Sequence, residues 1–394
     1  MLFQTLDDKK ECVGIYYNGQ IHKELADDLT RTWSFAGYLA GQNIDFASLY
    51  CGSNDPRAVC SDLLREQWDE TSDKLKAFMR SFREAKVDLN ENCFFDLVPE
   101  RFLLEFCDIK NRITEYVFSE YEKPSNYDFL LSLQTVINEI SFQKLKIDLV
   151  SMNKKIYDFK VKQIKEKLQK ISPYIKYDVF GTKTGRLTTK KYSFPILTLA
   201  KEYREVIKPN NDWFVEFDFN AAELRTLLAL SDKEQPLEDI HAWNAKHVYS
   251  GETTRDEAKK RIFAWLYNPE SKDSKSNKTY DRDSVLKKYW DGEQIHTFYD
   301  RIIAADKHHA LNYIIQSTTS DLFLRRMIKV HEFLKDKKSN ISFSIHDSLV
   351  IDFYDDERHM IPEVKKIFSD TELGNFKVNI SAGKNFGDMK RLKI

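Results

Sequence analysis

The stretch NISFSIHDSLVIDF, residues 340 to 353, leaves this chain little freedom in what it builds. Ile341, Phe343 and Ile345 alternate with serines, Leu349, Ile351 and Phe353 recur at the same two-residue spacing around Val350 and Asp352, and His346-Asp347 stands between the two sets. Period-two alternation places each set on one face of a strand. A connection this short joins only antiparallel partners, so the stretch predicts a hairpin whose strained turn holds Asp347 outward. A second apolar strand, Trp213 to Phe217 in WFVEFDFN, delivers Asp218 at its end. Either aspartate alone also suits a turn or a cap. Together, on rigid strands, two such carboxylates can grip a pair of Mg²⁺ ions, the arrangement that stabilises attacking and leaving oxygens in phosphoryl transfer.

A helix supplies the complementary charge. In TTRDEAKKRIFAWLYNP (253–269), Thr254 followed by Glu257 fits a capping box, so the helix is expected to begin at Arg255. Asn268, tolerant of a left-handed cap, and Pro269 mark its end. Arg255, Lys259, Phe263 and Tyr267 recur every fourth residue and share one broad face, with the cations at the N-terminal end where the helix dipole favours anions. Phosphates at one end and a flat base at the other would suit that face. A half-buried aromatic side with salt-bridged lysines has the same pattern.

Composition narrows the setting. Gly and Pro are scarce, 12 and 9 in 394 residues, which argues for packed, helix-rich domains rather than low-complexity chain. Because 61 basic residues balance 62 acidic ones, any nucleic-acid contact must come from local patches. No apolar run is long enough for a membrane span and the first residues resemble no leader, so a cytoplasmic protein with no membrane partner is expected. The five cysteines, Cys12, Cys51, Cys60, Cys93 and Cys107, are odd in number and lack metal-ligand spacing. Reduced, partly buried thiols are expected, with a zinc site on Cys51 and Cys60 as the alternative.

Along the chain, residues 1–110 mix strand-like CVGIYY with helical SDKLKAFMRSFREAK and form a small N-terminal α/β domain. Residues 125 to 172 read as helical, and Ile156, Phe159, Ile164 and Leu168 line one side of a lysine-rich segment. The polar stretch ESKDSKSNKTYDRD (270–283) reads as a mobile loop.

Six blocks in order carry a family resemblance. DFNAAELRTLLALS (218–231), RDEAKKRIFAWLYN (255–268) and IHDSLV (345–350) resemble motifs A, B and C of family A DNA polymerases. TGRL (184–187), DIH (239–241) and ALNYIIQSTTSDLF (310–323) are similar to three more of that family's blocks. The resemblance covers the C-terminal 55% or so of the chain. It implies an α+β right-hand polymerase with an antiparallel palm, helical fingers and a strongly reduced thumb. It also implies the division of the chain: a thumb-like region at 111–180, palm at 181–240 and 293–394, and fingers at 241–292.

The resemblance further implies roles. Asp218 and Asp347, with the backbone carbonyl of Phe219, would bind two Mg²⁺ ions. Arg255, Lys259 and His241 would hold the triphosphate, with Lys259 placed to protonate the departing pyrophosphate. Phe263 and Tyr267 would stack on the incoming dNTP. Glu223, packed under the sugar against Tyr267, would exclude a 2′-hydroxyl. Arg186, Asn312 and Gln316 would read the degenerate minor-groove edge of primer-template DNA, with His346 a further DNA contact.

Departures from the family pattern are specific. Ser348 replaces the acid that usually follows His-Asp, Asn268 takes a glycine position, Asn220-Ala221 replaces Ser-Gln, and His308 stands where arginine is frequent. Thr184 follows Asp148 by only 36 positions, where the family inserts a thumb several times longer. Weak DNA grip follows unless a processivity factor supplies a clamp, and a helicase or exonuclease is a further expected partner. Residues 1–110 contain no Asp-x-Glu pair, so no proofreading is expected; the region is read as a nuclease remnant or a docking module. The competing identities are a single-subunit RNA polymerase, which shares His-Asp-Ser, and a catalytically idle replisome DNA-binding protein. Bacterial or phage-infected cytoplasm is the expected location.

Overall fold

A computed structural model describes residues 1–155 and 158–393, so Ile156 of the lysine-rich segment lies outside the described residues. Two compact units appear, residues 1–142 and 143–394. The boundary expected near 110 falls inside a helix. Glu100–Glu120 is one uninterrupted run whose Phe102, Leu103, Cys107, Ile109, Ile113 and Val117 are buried, so the first unit needs it whole.

In the first unit, a three-stranded antiparallel sheet (Gln4–Thr5, Ile15–Tyr17, Gln20–His22) accompanies helices α1 (Asp62–Glu84), α2 (Glu100–Glu120) and α3 (Tyr127–Ser141). The expectation of reduced thiols throughout fails for one pair: Cys12 and Cys93 form a disulfide, with Cα atoms 5.6 Å apart. A separation of 81 residues hid this pairing from local spacing. Cys51, Cys60 and Cys107 are free and buried, and no zinc-type cluster occurs among the described residues.

The first α-helix of the second unit is α4 (Phe159–Lys170), in which Val161 and Leu168 are buried and Phe159 is exposed. The segment between α3 and α4 is not continuous helix: Lys146–Ile147 pairs with Ile207–Lys208 as strand. The unit's centre is a five-stranded antiparallel sheet built from β1 (Trp213–Phe219), β2 (Asn340–Ile345), β3 (Ser348–Phe353), β4 (Val378–Gly383) and β5 (Lys390–Leu392), in the order β2-β3-β1-β4-β5. The hairpin forms as the alternation requires, with Ile345 opposite Ser348 and His346 at φ +54 in the two-residue turn. Val215, Phe217 and Phe219 are buried on one face of β1, and Phe219 stacks on Phe368 with centroids 4.3 Å apart. Glu216 and Asp218 alternate onto the other face.

Beyond β1, helix α5 (Ala222–Leu230) starts from Ala221 in the left-handed region, φ +53. A single turn, α6 (Ile240–Trp243), is capped by Asp239. Then comes α7 (Arg255–Tyr267), begun by the capping box foreseen from its sequence: Thr254 Oγ1 accepts from the Glu257 N–H and Glu257 accepts from the Thr254 N–H. Its end differs. Asn268 is extended (φ −110) rather than left-handed, because Arg282 donates to the carbonyls of Trp265 and Asn268 at 3.1 and 3.0 Å and so satisfies the last turn.

The stretch 270–283 is also not a loop. Asp273 caps α8 (Ser274–Tyr280), which buries Ser276 and Tyr280, and α9 (Arg282–Tyr289) follows directly. Polar composition misled here because the buried contacts are hydrogen bonds, Tyr280 Oη to Asn244 Oδ1 at 2.7 Å among them. The long α10 (Ala310–Leu334) and α11 (Ile361–Ser369) complete the unit. Helix accounts for 46% and strand for 15%, an α+β chain. Among the described residues no helix is long and apolar enough to cross a membrane.

Candidate active site

Antiparallel register brings the two carboxylates together. Asp218 lies opposite Ser348 on β3 and opposite Asn379 on β4, and Asp347 precedes Ser348 in the turn. The Phe219 N–H reaches the Asp347 carbonyl at 3.5 Å. Burial, followed by the charge of Asp347, pushes the pKa of Asp218 up to about 7. Asp347 is raised too, by burial and then by the charge of Glu223. A cation between two such half-buried acids would relieve their repulsion and favour their charged forms.

The residues fit a hard divalent ion. The donors are oxygens: two carboxylates and the backbone at Phe219, with neither thiol nor imidazole, as Mg²⁺ prefers. No group of three or more His, Cys, Asp or Glu residues packs as a metal cage among the described residues.

The opposing wall is α7. Phe263 and Tyr267 stack on each other, centroids 5.8 Å apart and nearly coplanar at 8°. His241 lies 5.7 Å from the Phe263 ring. Lys259 is exposed, and its charge lowers the pKa of both Asp218 and His241. Burial above all drives the His241 pKa down to about 4, so at neutral pH the ring is a neutral donor and acceptor. Its Nδ1 is buried without a hydrogen-bond partner.

Glu223, in the first turn of α5, accepts hydrogen bonds from Arg186 and from the Tyr267 hydroxyl. The expected contact between Glu223 and Tyr267 is therefore present, and Arg186 is held at the same carboxylate. Asn312 and Gln316 share a half-buried face of α10, with Gln316 donating to Asn312 at 2.6 Å. His346 is exposed on the hairpin turn, and so is His308, at the base of α10.

Several residues escaped the sequence reading. Glu216 stands two residues before Asp218 on the same face of β1, and Ser348 donates to it at 3.1 Å. The position that lacks the family's acid thus has a carboxylate beside it, supplied by the neighbouring strand. Asn379 donates to Asp218 at 3.3 Å across a separation of 161 residues, with no local signal to find it. Arg255 is not free: Asp239 takes its Nε and Nη2 at 3.1 and 2.9 Å. Asp239 stood in the DIH block but only its histidine was assigned.

The fold is one found in solved polymerase domains. A solved structure with this fold is the polymerase domain of Pol1 from M. smegmatis in complex with DNA primer-template and dNTP, at TM-score 0.58 and 12% identity over 73% of this chain and 75% of that one. The family is more specific. Residues 270–389 match DNA polymerase family A. DNA polymerase I of Borreliella burgdorferi is 23% identical over 80% of this chain and 45% of its own length, and DNA polymerase I of Chloroflexus aurantiacus is 24% identical over 55% and 29%. The chain thus spans less than half the length of these curated relatives. The agreement of profile, relatives and fold supports a family A DNA polymerase, the group that the six blocks resemble.

Proposed function

We propose that this chain is a DNA-directed DNA polymerase that adds dNTPs to a primer 3′ end with release of pyrophosphate, using two Mg²⁺ ions and without proofreading. The observation that carries the proposal is the placement of Asp218 beside the Asp347 turn, opposite a helix presenting Lys259, Phe263 and Tyr267.

Asp218, Asp347 and the Phe219 carbonyl would hold the metal. Once bound, it would lower the pKa of the primer hydroxyl and neutralise the triphosphate. The chain's own groups account for the rest. Arg255 and Lys259 bind phosphate oxygens, and the neutral His241 imidazole donates a hydrogen bond to them. Lys259 hands a proton to the leaving pyrophosphate. Phe263 and Tyr267 offer stacking area for the base, while Glu223 fills the space a 2′-hydroxyl would need. Arg186, Asn312 and Gln316 donate to minor-groove acceptors common to all pairs. Family A homology does not favour the RNA polymerase reading.

Primer extension with each dNTP and rNTP, with and without Mg²⁺, tests the proposal. Extension by dNTPs alone is expected, abolished by Asp347→Ala while DNA binding persists. A chain that binds DNA but never extends it would be the idle replisome protein instead. A mismatched 3′ end is expected to survive incubation unshortened.

A further inference from the structure

We propose that Asn220 and Asp239 are positioning residues that hold Arg255 side-on, leaving its outer N–H edge free for the phosphates of an incoming nucleotide. This rests on the reading of Arg255 as a phosphate ligand.

A continuous polar strut runs from the buried base of α5 to the first residue of α7. Arg225, 1% exposed, donates to the Asn220 carbonyl at 2.7 Å and to its Oδ1 at 3.1 Å. The same Oδ1 accepts the Ile240 N–H at 3.0 Å. With two donors on its oxygen, the amide of Asn220, itself 4% exposed, turns its Nδ2 to Asp239 Oδ2 at 3.0 Å. The other oxygen of Asp239 accepts the N–H groups of His241 and Ala242 at 3.1 and 2.9 Å. The carboxylate plane is thereby fixed before Arg255 arrives, and the guanidinium spans both oxygens through Nε and Nη2.

This grip uses one edge of a planar fork. Among the described residues the remaining edge makes a single contact, from Nη1 to the exposed Asp256 at 3.2 Å. A half-exposed arginine without the strut would spread over many rotamers, and a ligand would have to order it on binding. The strut orders it in advance. Asn220 also follows β1 directly, two residues after Asp218, so the end of one strand carries the proposed metal carboxylate and, through Asp239, the hold on a phosphate cation.

Asn220→Ala and Asp239→Asn in the full chain test this, by single-nucleotide extension and by dNTP binding to a complex with a dideoxy-terminated primer. Asp239→Asn keeps an oxygen to cap α6, so it decides the matter should Asn220→Ala fail to fold. Each is expected to raise both the dNTP Kd and KM about tenfold, with kcat within about twofold. On an Arg255→Ala background most of that effect should vanish. Suppose Arg255→Ala weakens nucleotide binding, yet the two substitutions leave binding unchanged, tighten it, lower kcat alone, or act undiminished on that background. The strut is then overturned and the reading of Arg255 survives. If Arg255→Ala itself leaves nucleotide binding unchanged, that reading falls and the inference with it.

Discussion

In the proposed function Glu223 carries selectivity in one carboxylate, whose two oxygens are shared between Arg186 and Tyr267. Glu223→Ala would release both and open the space beneath the sugar. Discrimination against rNTPs is expected to fall by about 10- to 100-fold, read as the ratio of kcat/KM for a dNTP and its ribonucleotide; an unchanged ratio would move the steric gate elsewhere. Asp352 is a residue of another kind. It is 2% exposed and accepts the N–H groups of Asn210 and Asn211 at 2.7 and 3.0 Å, yet burial outweighs these bonds and pushes its pKa up to about 6. Between its unfolded value near ~4 and this folded value, the native chain keeps a proton that the unfolded chain has lost. The stability from this group is therefore full at low pH and disappears as pH rises through the folded pKa. Asp352→Asn should remove about 2 kcal/mol of the difference in urea stability between acidic and neutral buffer, and an unaltered difference would assign the proton to another group.

At the scale of elements, the ends of α7 are fixed by different means, one local and one remote. The capping box is local, so Thr254→Ala is expected to cost about 1 kcal/mol in thermal unfolding and to fray the turn that carries Arg255. An effect on nucleotide binding as well as on stability would show that helix start and phosphate ligand are one device. The TGRL loop depends on a remote partner. Gly185 sits at φ +77, and a Cβ there would come within 2.6 Å of Arg301 Nη2, whose guanidinium is clamped by Asp321 at 3.1 and 2.6 Å. Because the arginine cannot swing aside cheaply, Gly185→Ala should destabilise by about 1–2 kcal/mol and displace Arg186, seen as a lower melting temperature together with slower extension. Full activity with normal stability would mean the loop relaxes freely.

At the scale of the whole molecule, the region proposed as a thumb holds only α4 and short segments between α3 and the palm, and phosphate contacts supply most DNA affinity. Under a trap for free enzyme the lone chain is expected to add few nucleotides per encounter; products hundreds of nucleotides long would refute the reduced-grip reading. Part of this architecture needed no coordinates. The alternation in 340–353, the capping box at Thr254 and the order of six blocks named the hairpin, the helix and the fold, because strand faces, turns and caps are set by residues a few positions apart. Where the deciding partner lay far along the chain, sequence was silent or misleading. The Cys12–Cys93 disulfide, Arg282 closing α7 from within the stretch read as a loop, Asn379 at Asp218 and Glu216 beside Ser348 are all of that kind. So is the Asn220–Asp239–Arg255 strut: its members stand in three separate segments, and only packing, which spends buried donors and acceptors on one another, made them a unit.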